Sequence, residues 1–269
     1  MAEATEERLF ELVNRVRRGR SLVERDDQYG LEAFLDAARA AESRGARLSV
    51  IDTGLFSLNE LELLVERKVN LFTSDETGRS PDDLEMLLEA SGRSGAFISR
   101  LAVRDIPDEA SGWSLQRLLD LARAGLDIHV SNSEAARDRE VLKQLAAASG
   151  RRRGFFVYYH HGALTGDLAG LAGRRNWLHC SDRSVNSAED GEAAVAVAAA
   201  FRAAGGWTVV YIERGLELDL LKRLERAGAF LNFLTPPSSR YSLQKAVEER
   251  ARRTRLPARA FYLTTAYLL

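Results

Sequence analysis

The sequence predicts an α/β fold of the (βα)8 TIM-like barrel class. Short apolar runs rich in β-branched and aromatic residues alternate with amphipathic helical stretches, and several of these helices end in glycine directly before the next run. Strands that alternate with helices pair in parallel through crossover connections. An open, doubly wound parallel sheet is the alternative, but no glycine-rich nucleotide-binding motif follows any of the runs.

Two helices precede the first run. Apolar residues recur at helical spacing around Leu12 and Val16, and again around Leu31 and Phe34. The polar stretch between them, residues 19–30, is expected to be a loop. We therefore expect residues 1–46 to form a helical extension that packs on a barrel domain of residues 47–269.

The predicted barrel domain contains nine candidate strands. They are the runs at 47–52, 69–74, 95–100, 126–131, 155–160, 176–181, 208–213, 229–234 and 260–265. Eight strands suffice for a barrel of about 250 residues, so the ninth run either closes the barrel or lies outside it. Its apolar end, AFYLTTAYLL, needs burial in this chain or in a second copy, which makes the termini a candidate homo-oligomer contact.

Composition excludes several classes of protein. The chain has 38 Lys and Arg against 39 Asp and Glu, a net charge of −1, which argues against a nucleic-acid partner held by bulk charge. A single cysteine, Cys180, excludes an intrachain disulfide and a multi-cysteine metal site. No apolar run approaches the roughly 20 residues of a membrane helix, and no secretory signal is recognisable. We expect a soluble, cytoplasmic protein of bacterial type without a membrane partner.

The histidines give the strongest functional signal. All four lie on or directly after three successive runs, at His129, His160, His161 and His179. In a barrel the carboxyl ends of the strands form the active face, and here those ends are polar in nearly every unit. His129, in mid-strand, is expected to be a hydrogen-bonded core residue. Cys180 is expected in the core, because adjacent strand residues point to opposite faces.

A divalent metal such as Zn²⁺ or Mn²⁺ is the first chemistry that these residue types favour. Imidazoles and carboxylates on neighbouring strands bind such ions, and a bound ion lowers the pKa of its water. The predicted metal ligands are His160, His179, Asp52 and Asp75. The predicted catalytic residues are Asp182, Glu213 and His179. The sequence carries no nucleotide or pyridoxal phosphate signature. With these residues, the sequence predicts a metal-dependent hydrolase that acts on a small polar molecule.

Binding of an anionic small molecule is a further prediction from the same strand ends. Arginine can hold phosphate or carboxylate through two hydrogen bonds. The predicted substrate-binding residues are Arg100, Arg183, Arg214 and Asn132. The arginines could instead pair with facing acids.

Two other functions stay open from the sequence. Glu134 and Glu213 could act as a metal-free pair of carboxylates, as in glycoside hydrolysis. A barrel without chemistry could serve as a binding or scaffold subunit. Some strand-end residues also resemble helix starts, namely Ser57 with Glu60 at capping-box spacing and Ser133 with Glu134.

Overall fold

The structure, a computed structural model, describes residues 2–18, 21–102, 112–134, 136–149 and 154–233, and only the backbone of residues 2–9. The helices are α1 (Ala2–Arg17), α2 (Leu31–Arg44), α3 (Leu58–Glu66), α4 (Pro81–Ser94), α5 (Leu115–Ala124), α6 (Arg139–Ser149), α7 (Ala188–Ala203) and α8 (Leu218–Ala227). The strands are β1 (Leu22–Arg25), β2 (Leu48–Ile51), β3 (Asn70–Ser74), β4 (Ile98–Ala102), β5 (Asp127–Ser131), β6 (Phe156–Tyr159), β7 (Asn176–Ser181), β8 (Trp207–Ile212) and β9 (Phe230–Phe233).

The predicted fold class is confirmed. Across the described ranges, nine parallel strands alternate with helices, as in an α/β TIM-like barrel. The chain divides into two compact units, residues 1–127 and residues 128–269. Within each unit, strands that follow one another in the chain are neighbours in the sheet. A doubly wound sheet reverses its strand order at a switch point, and neither unit shows such a reversal in its described part.

The first unit contains β1 to β4. The register places Leu22 beside Leu48 and Val50 beside Leu71, so apolar residues of neighbouring strands lie side by side. The helices contribute fully buried side chains such as Phe34, which packs edge-on against the ring of Phe56. Burial of these apolar surfaces stabilises the unit by roughly 25 cal/mol per Å² removed from water.

Strand β1 corrects one prediction. Residues 19–30 were expected to form a loop, but Leu22–Arg25 pair in parallel with Leu48–Ile51. Glu24 is buried in this strand and forms an ion pair with Arg15 of α1, at 2.6 Å between nitrogen and oxygen. Glu24 and Arg25, whose charges favoured a loop, therefore belong to a strand, and Glu24 connects this strand to α1 through its ion pair with Arg15.

The second unit contains β5 to β9 from residue 128 onward. Tyr159 lies beside His179 in the register, and Ser181 lies beside Tyr211. A 3-10 helix, Gly166–Leu171, connects β6 to β7 in place of an α-helix. Trp177 and Trp207 stack across β7 and β8 with ring centroids 4.7 Å apart, which adds aromatic packing to the buried face of this unit.

Helix ends follow the predicted capping chemistry at one of two positions. Ser57 and Glu60 form a capping box at the start of α3, as predicted. The prediction of a helix start at Ser133 and Glu134 is wrong, because α6 begins at Arg139. Asp138 supplies the cap there, since its Oδ1 accepts a hydrogen bond from the N–H of Glu140 at 2.7 Å.

The candidate strand at 260–265 lies outside the described residues, as does the last residue of the run at 229–234. The domain boundary between residues 46 and 47 stays a prediction. In the part of the chain that the structure describes, no helix is both long enough and apolar enough to cross a membrane.

Candidate functional site

Asp182 holds the loop that follows β8. Its Oδ2 accepts hydrogen bonds from three consecutive backbone N–H groups, those of Glu213 at 3.0 Å, Arg214 at 2.7 Å and Gly215 at 2.7 Å. Gly215 has a φ of 102°, a conformation that side-chain-bearing residues rarely adopt, so glycine lets the loop curve around the carboxylate. Asp182 itself is buried. This predicted catalytic residue therefore positions the loop after β8.

Arg183 and Glu213 form an ion pair at the carboxyl ends of β7 and β8. Nη2 of Arg183 lies 2.8 Å from Oε1 and 2.7 Å from Oε2 of Glu213. Both side chains are exposed, 45% for Arg183 and 38% for Glu213, so the pair contributes only about 0.2–1 kcal/mol. Arg214 is exposed beside them, and no side-chain hydrogen bond or ion pair is found for it among the described residues. Arg183, Glu213 and Arg214 together form an exposed charged cluster in the second unit.

His179 lies in the buried interior of the second unit. Its Nδ1 is 3.1 Å from the hydroxyl oxygen of Tyr211, and the two rings stack with centroids 6.0 Å apart. His179 has no exposed surface. Burial lowers its pKa from 6.5 to about 3, with a further contribution from the nearby His129. The imidazole is therefore neutral near pH 7 and is held away from solvent.

His129 repeats this arrangement two strands earlier. Its Nδ1 is 3.0 Å from the hydroxyl oxygen of Tyr159, and both side chains are buried. Tyr159 also packs against His179, with ring centroids 5.0 Å apart. The prediction that His129 is a hydrogen-bonded core residue is confirmed. Together these four rings form a continuous His–Tyr row across β5 to β8.

His160 lies on the opposite face of the sheet from His179. Tyr159 is the register partner of His179, and adjacent residues of an extended chain point to opposite faces. The ring of His160 accordingly packs against Tyr158, at 5.7 Å between centroids. Burial is the main cause that lowers the pKa of His160 below its ordinary value.

Asn132 and His161 join the loops that follow β5 and β6. The side-chain amide of Asn132 donates to the carbonyl of His161 at 2.9 Å, and its oxygen accepts from the N–H of His161 at 2.7 Å. A predicted substrate-binding residue thus uses both ends of its amide to connect two loops.

Asp52 is saturated with hydrogen bonds in the first unit. Arg79 binds it through Nε at 2.9 Å to Oδ2 and through Nη2 at 2.8 Å to Oδ1. The Thr73 hydroxyl and the Gly54 N–H donate to the same carboxylate. The Asp52 side chain has no exposed surface, so the guanidinium compensates the buried charge.

Asp75 and Arg100 also belong to the first unit. Arg100 is 4% exposed, and its guanidinium carbon lies 3.8 Å from the centre of the Trp113 ring, a cation–π contact. Asp75 is half-buried directly after β3, and its backbone N–H donates to the carbonyl of Leu101 at 3.0 Å. Arg100 is thus removed from solvent, unlike Arg183 and Arg214.

The predicted metal ligands of the second unit are not brought together. His160 and His179 point to opposite faces of the second unit, and Asp52 is engaged by Arg79 in the first. Over the described ranges, no group of three or more His, Cys, Asp or Glu side chains is placed to hold a metal ion. Metal dependence stays a prediction.

Cys180 occupies the position expected of it. It is fully buried, and its Sγ lies 3.7 Å from the carbonyl oxygen of Val209 on β8. Burial raises its pKa from 9.0 to about 12, with the nearby Asp182 contributing. The thiol is therefore protonated and unreactive near neutral pH.

Several polar residues around these positions were not predicted from the sequence. Asp26, directly after β1, binds the N–H of Thr53 at 3.1 Å and its hydroxyl at 2.5 Å. Recognition of β1 would have revealed it, because it stands at a strand end like Asp52. Tyr159 and Tyr211 were visible within predicted strands, and only the register shows that each reaches a histidine.

Comparison with known proteins gives matches among solved structures alone. No protein-family profile matches the chain, and no curated protein sequence matches it. A deoxyribose phosphate aldolase from Aeropyrum pernix is 14% identical, with 91% of this chain and 98% of that chain covered and a TM-score of 0.33. The citrate synthase SbnG is 9% identical, with 91% and 98% covered and a TM-score of 0.36. The PaMucR phosphodiesterase, solved with c-di-GMP, is 13% identical, with 64% and 67% covered and a TM-score of 0.31. Likeness of this degree assigns no activity to the present chain.

Proposed function

We propose that this chain is a small-molecule enzyme that holds an anionic substrate at the carboxyl ends of β7 and β8. The observation that carries the proposal is an exposed charged cluster, in which Arg183 directly after β7 pairs with Glu213, and Glu213 and Arg214 belong to the loop after β8 that Asp182 fixes. The carboxyl ends of strands are where α/β barrels place their ligands. Phosphate and carboxylate are the groups that arginine forks recognise.

The loop after β8 supports this role because it is held in one conformation. Three backbone N–H groups bind a single carboxylate oxygen of the buried Asp182. The backbone of such a loop is ordered before a ligand arrives, which lowers the ordering cost of binding.

The two arginines are available to a ligand for different reasons. Arg183 is engaged only in an exposed ion pair, which an incoming anion can replace at a cost of about 1 kcal/mol or less. Arg214 has no recorded side-chain partner in the described part of the chain. An anion that takes the place of Glu213 on Arg183 could also reach Arg214, the residue that follows Glu213 on the loop after β8.

Glu213 supplies the proton-transfer group in this proposal. Of the predicted catalytic residues, Asp182 and His179 are buried and Glu213 is exposed. Once an anion displaces it from Arg183, its carboxylate is next to the bound molecule and can accept a proton from it. Metal-dependent hydrolysis, predicted from the sequence, has no ligand set in the described residues to support it.

The test is isothermal titration of the full chain with inorganic phosphate, pyrophosphate and succinate. We expect saturable binding of at least one anion, weakened about five- to tenfold by Arg183→Gln and by Arg214→Gln, because each removes a charge-assisted hydrogen bond. Arg223→Gln is the matched control, since Arg223 is a half-buried arginine paired with Glu192 between α7 and α8.

Two results would overturn the proposal. One is the absence of saturable binding for all three anions, which would favour the scaffold interpretation. The other is an equal loss of affinity in Arg223→Gln, which would mean that the anions respond to net charge and have no site at β7 and β8. Phosphate and succinate separate a phosphorylated substrate from a carboxylic acid.

A further inference from the structure

A second polar cluster lies where β6 ends and α6 begins. It consists of Arg139, Tyr158, His160 and Asp167. The His160 ring and the Arg139 guanidinium both adjoin the Tyr158 ring, at 5.7 Å between ring centroids and 6.0 Å from guanidinium carbon to ring centre. Asp167 pairs with Arg139 at 3.0 Å between Oδ2 and Nε. The cluster therefore brings an acid, a guanidinium and an imidazole to one phenol ring.

The hydrogen bond of His160 fixes which of its nitrogens carries the proton. Nε2 lies 3.0 Å from the carbonyl oxygen of Ala163. A carbonyl oxygen only accepts, so Nε2 bears the hydrogen and, in the neutral ring, Nδ1 bears a lone pair. Burial and the positive charge of Arg139 both favour the neutral ring, since they lower the pKa of His160.

Two buried atoms of this cluster have no hydrogen-bond partner in the described chain. They are Nδ1 of His160, an acceptor, and Nη1 of Arg139, a donor. His160 is 4% exposed. A buried polar atom that stays unsatisfied destabilises the folded chain, and such atoms are rare enough to need an explanation.

We propose that Nη1 of Arg139 and Nδ1 of His160 form a binding site for one hydroxyl group. The hydroxyl oxygen accepts from the guanidinium, and the hydroxyl hydrogen is donated to the imidazole lone pair. A carboxylate or a fully ionised phosphate could satisfy Arg139 but has no hydrogen to give to Nδ1. The ligand is therefore a water molecule or the hydroxyl of a small polyol.

The cluster is closed in this conformation, so the ligand needs a route. Asp167 is 53% exposed and Arg139 is 34% exposed, which places their ion pair at the solvent side of the cluster. The Thr165 hydroxyl donates to Asp167 and helps to hold it there. Because an ion pair this exposed is weak, its opening is a low-cost way to admit a hydroxyl to His160.

Long-range proton–nitrogen NMR on the full chain tests the site, with glycerol as the polyol probe. In the wild-type protein we expect His160 to carry its proton on Nε2 and to show Nδ1 as a hydrogen-bonded acceptor. Arg139→Met should shift the Nδ1 resonance toward that of a bare lone pair. Arg223→Met is the matched control, because it removes an ion-paired arginine of similar exposure elsewhere in the same unit.

The glycerol titration separates the two sources of the hydroxyl. A saturable shift of the Nδ1 resonance identifies a polyol site, and a hydrogen-bonded Nδ1 that does not respond to glycerol identifies water. Three results overturn the proposal: a bare Nδ1 in the wild-type protein with and without glycerol, a proton on Nδ1, or the same Nδ1 change in Arg223→Met as in Arg139→Met. The wild-type spectrum alone decides the first two, whether or not the variants fold.

Discussion

The buried carboxylate of Asp182 accepts a hydrogen bond from the backbone N–H of Arg214 at 2.7 Å, and the same oxygen accepts from both neighbours of Arg214. A residue at the end of β7 thus determines the path of the loop after β8. The same relationship recurs at Asp26 with Thr53 and at Asn132 with His161. In each case the polar residue after one strand binds the backbone after the next strand.

Replacement of Asp182 by alanine tests this role. We expect the free energy of unfolding to fall by about 2–3 kcal/mol, because partly buried N–H groups lose a charged acceptor. Asp219→Asn is the control: Asp219 is exposed in the first turn of α8, so its loss of charge should cost less than about 1 kcal/mol. Urea denaturation followed by circular dichroism measures both. Equal costs for the two variants would show that the three hydrogen bonds add no stability.

The strands of the second unit and most of those of the first could be predicted from the sequence. The eight runs between residues 47 and 234 all overlap strands. They could be predicted because runs of β-branched and aromatic residues alternate along the chain with stretches whose apolar residues recur at helical spacing. Strand β1 was missed because Leu22 and Val23 are followed by two charged residues. Its pairing with β2 is a tertiary contact, which no local pattern reveals.

The site could be predicted in part, since the polar residues do gather at strand ends. Their chemistry could not, because it depends on register. Alternation within one strand gives the face of each residue, but only the pairing of Tyr159 with His179 shows that His160 and His179 diverge. Likewise, the residue that engages Asp52 is Arg79, which lies 27 positions further along the chain.

Removal of the Arg79 guanidinium should destabilise the first unit. Asp52 has no exposed side-chain surface, so Arg79→Met leaves a buried carboxylate without its counterion. We expect a loss of about 3–5 kcal/mol in the free energy of unfolding. Arg93→Met, which removes an exposed guanidinium paired with Glu66, should change it by less than about 1 kcal/mol. The double variant Asp52→Asn with Arg79→Met should recover stability relative to Arg79→Met alone, and its failure to do so would contradict the charge argument.

Acidification should destabilise the protein through His179. The pKa of His179 is lowered to about 3 in the folded chain, whereas an unfolded histidine has a pKa of about 6.5. Between these values the unfolded state binds the additional proton, so the free energy of unfolding falls as the pH falls. From pH 6.5 to pH 5 this one residue contributes a loss of between about 1 and 2 kcal/mol. The lowered pKa of His160 acts in the same direction.

Denaturation curves at several pH values in this window measure the effect. The range from pH 5 to pH 6.5 lies above the ordinary pKa of carboxyl groups, so these groups contribute little to the change in the free energy of unfolding. His179→Gln lacks the titrating group, so its free energy of unfolding should depend less on pH than that of the wild-type protein. A variant with the full wild-type pH dependence would contradict the assignment of this effect to His179.

Glu213→Gln should tighten anion binding, if Arg183 and Arg214 hold an anion as proposed. Glu213 occupies the guanidinium of Arg183 through both carboxylate oxygens and therefore competes with any ligand of that arginine. The exposed pair is worth at most about 1 kcal/mol, so its removal should lower the dissociation constant for inorganic phosphate by up to about fivefold. Glu192→Gln is the matched control, because it releases Arg223 from its ion pair in the same way and changes the net charge equally. Tighter binding in Glu213→Gln alone would locate the anion at Arg183. An equal gain in both variants would point to a general effect of charge, and weaker binding in Glu213→Gln would mean that Glu213 holds the ligand instead of excluding it.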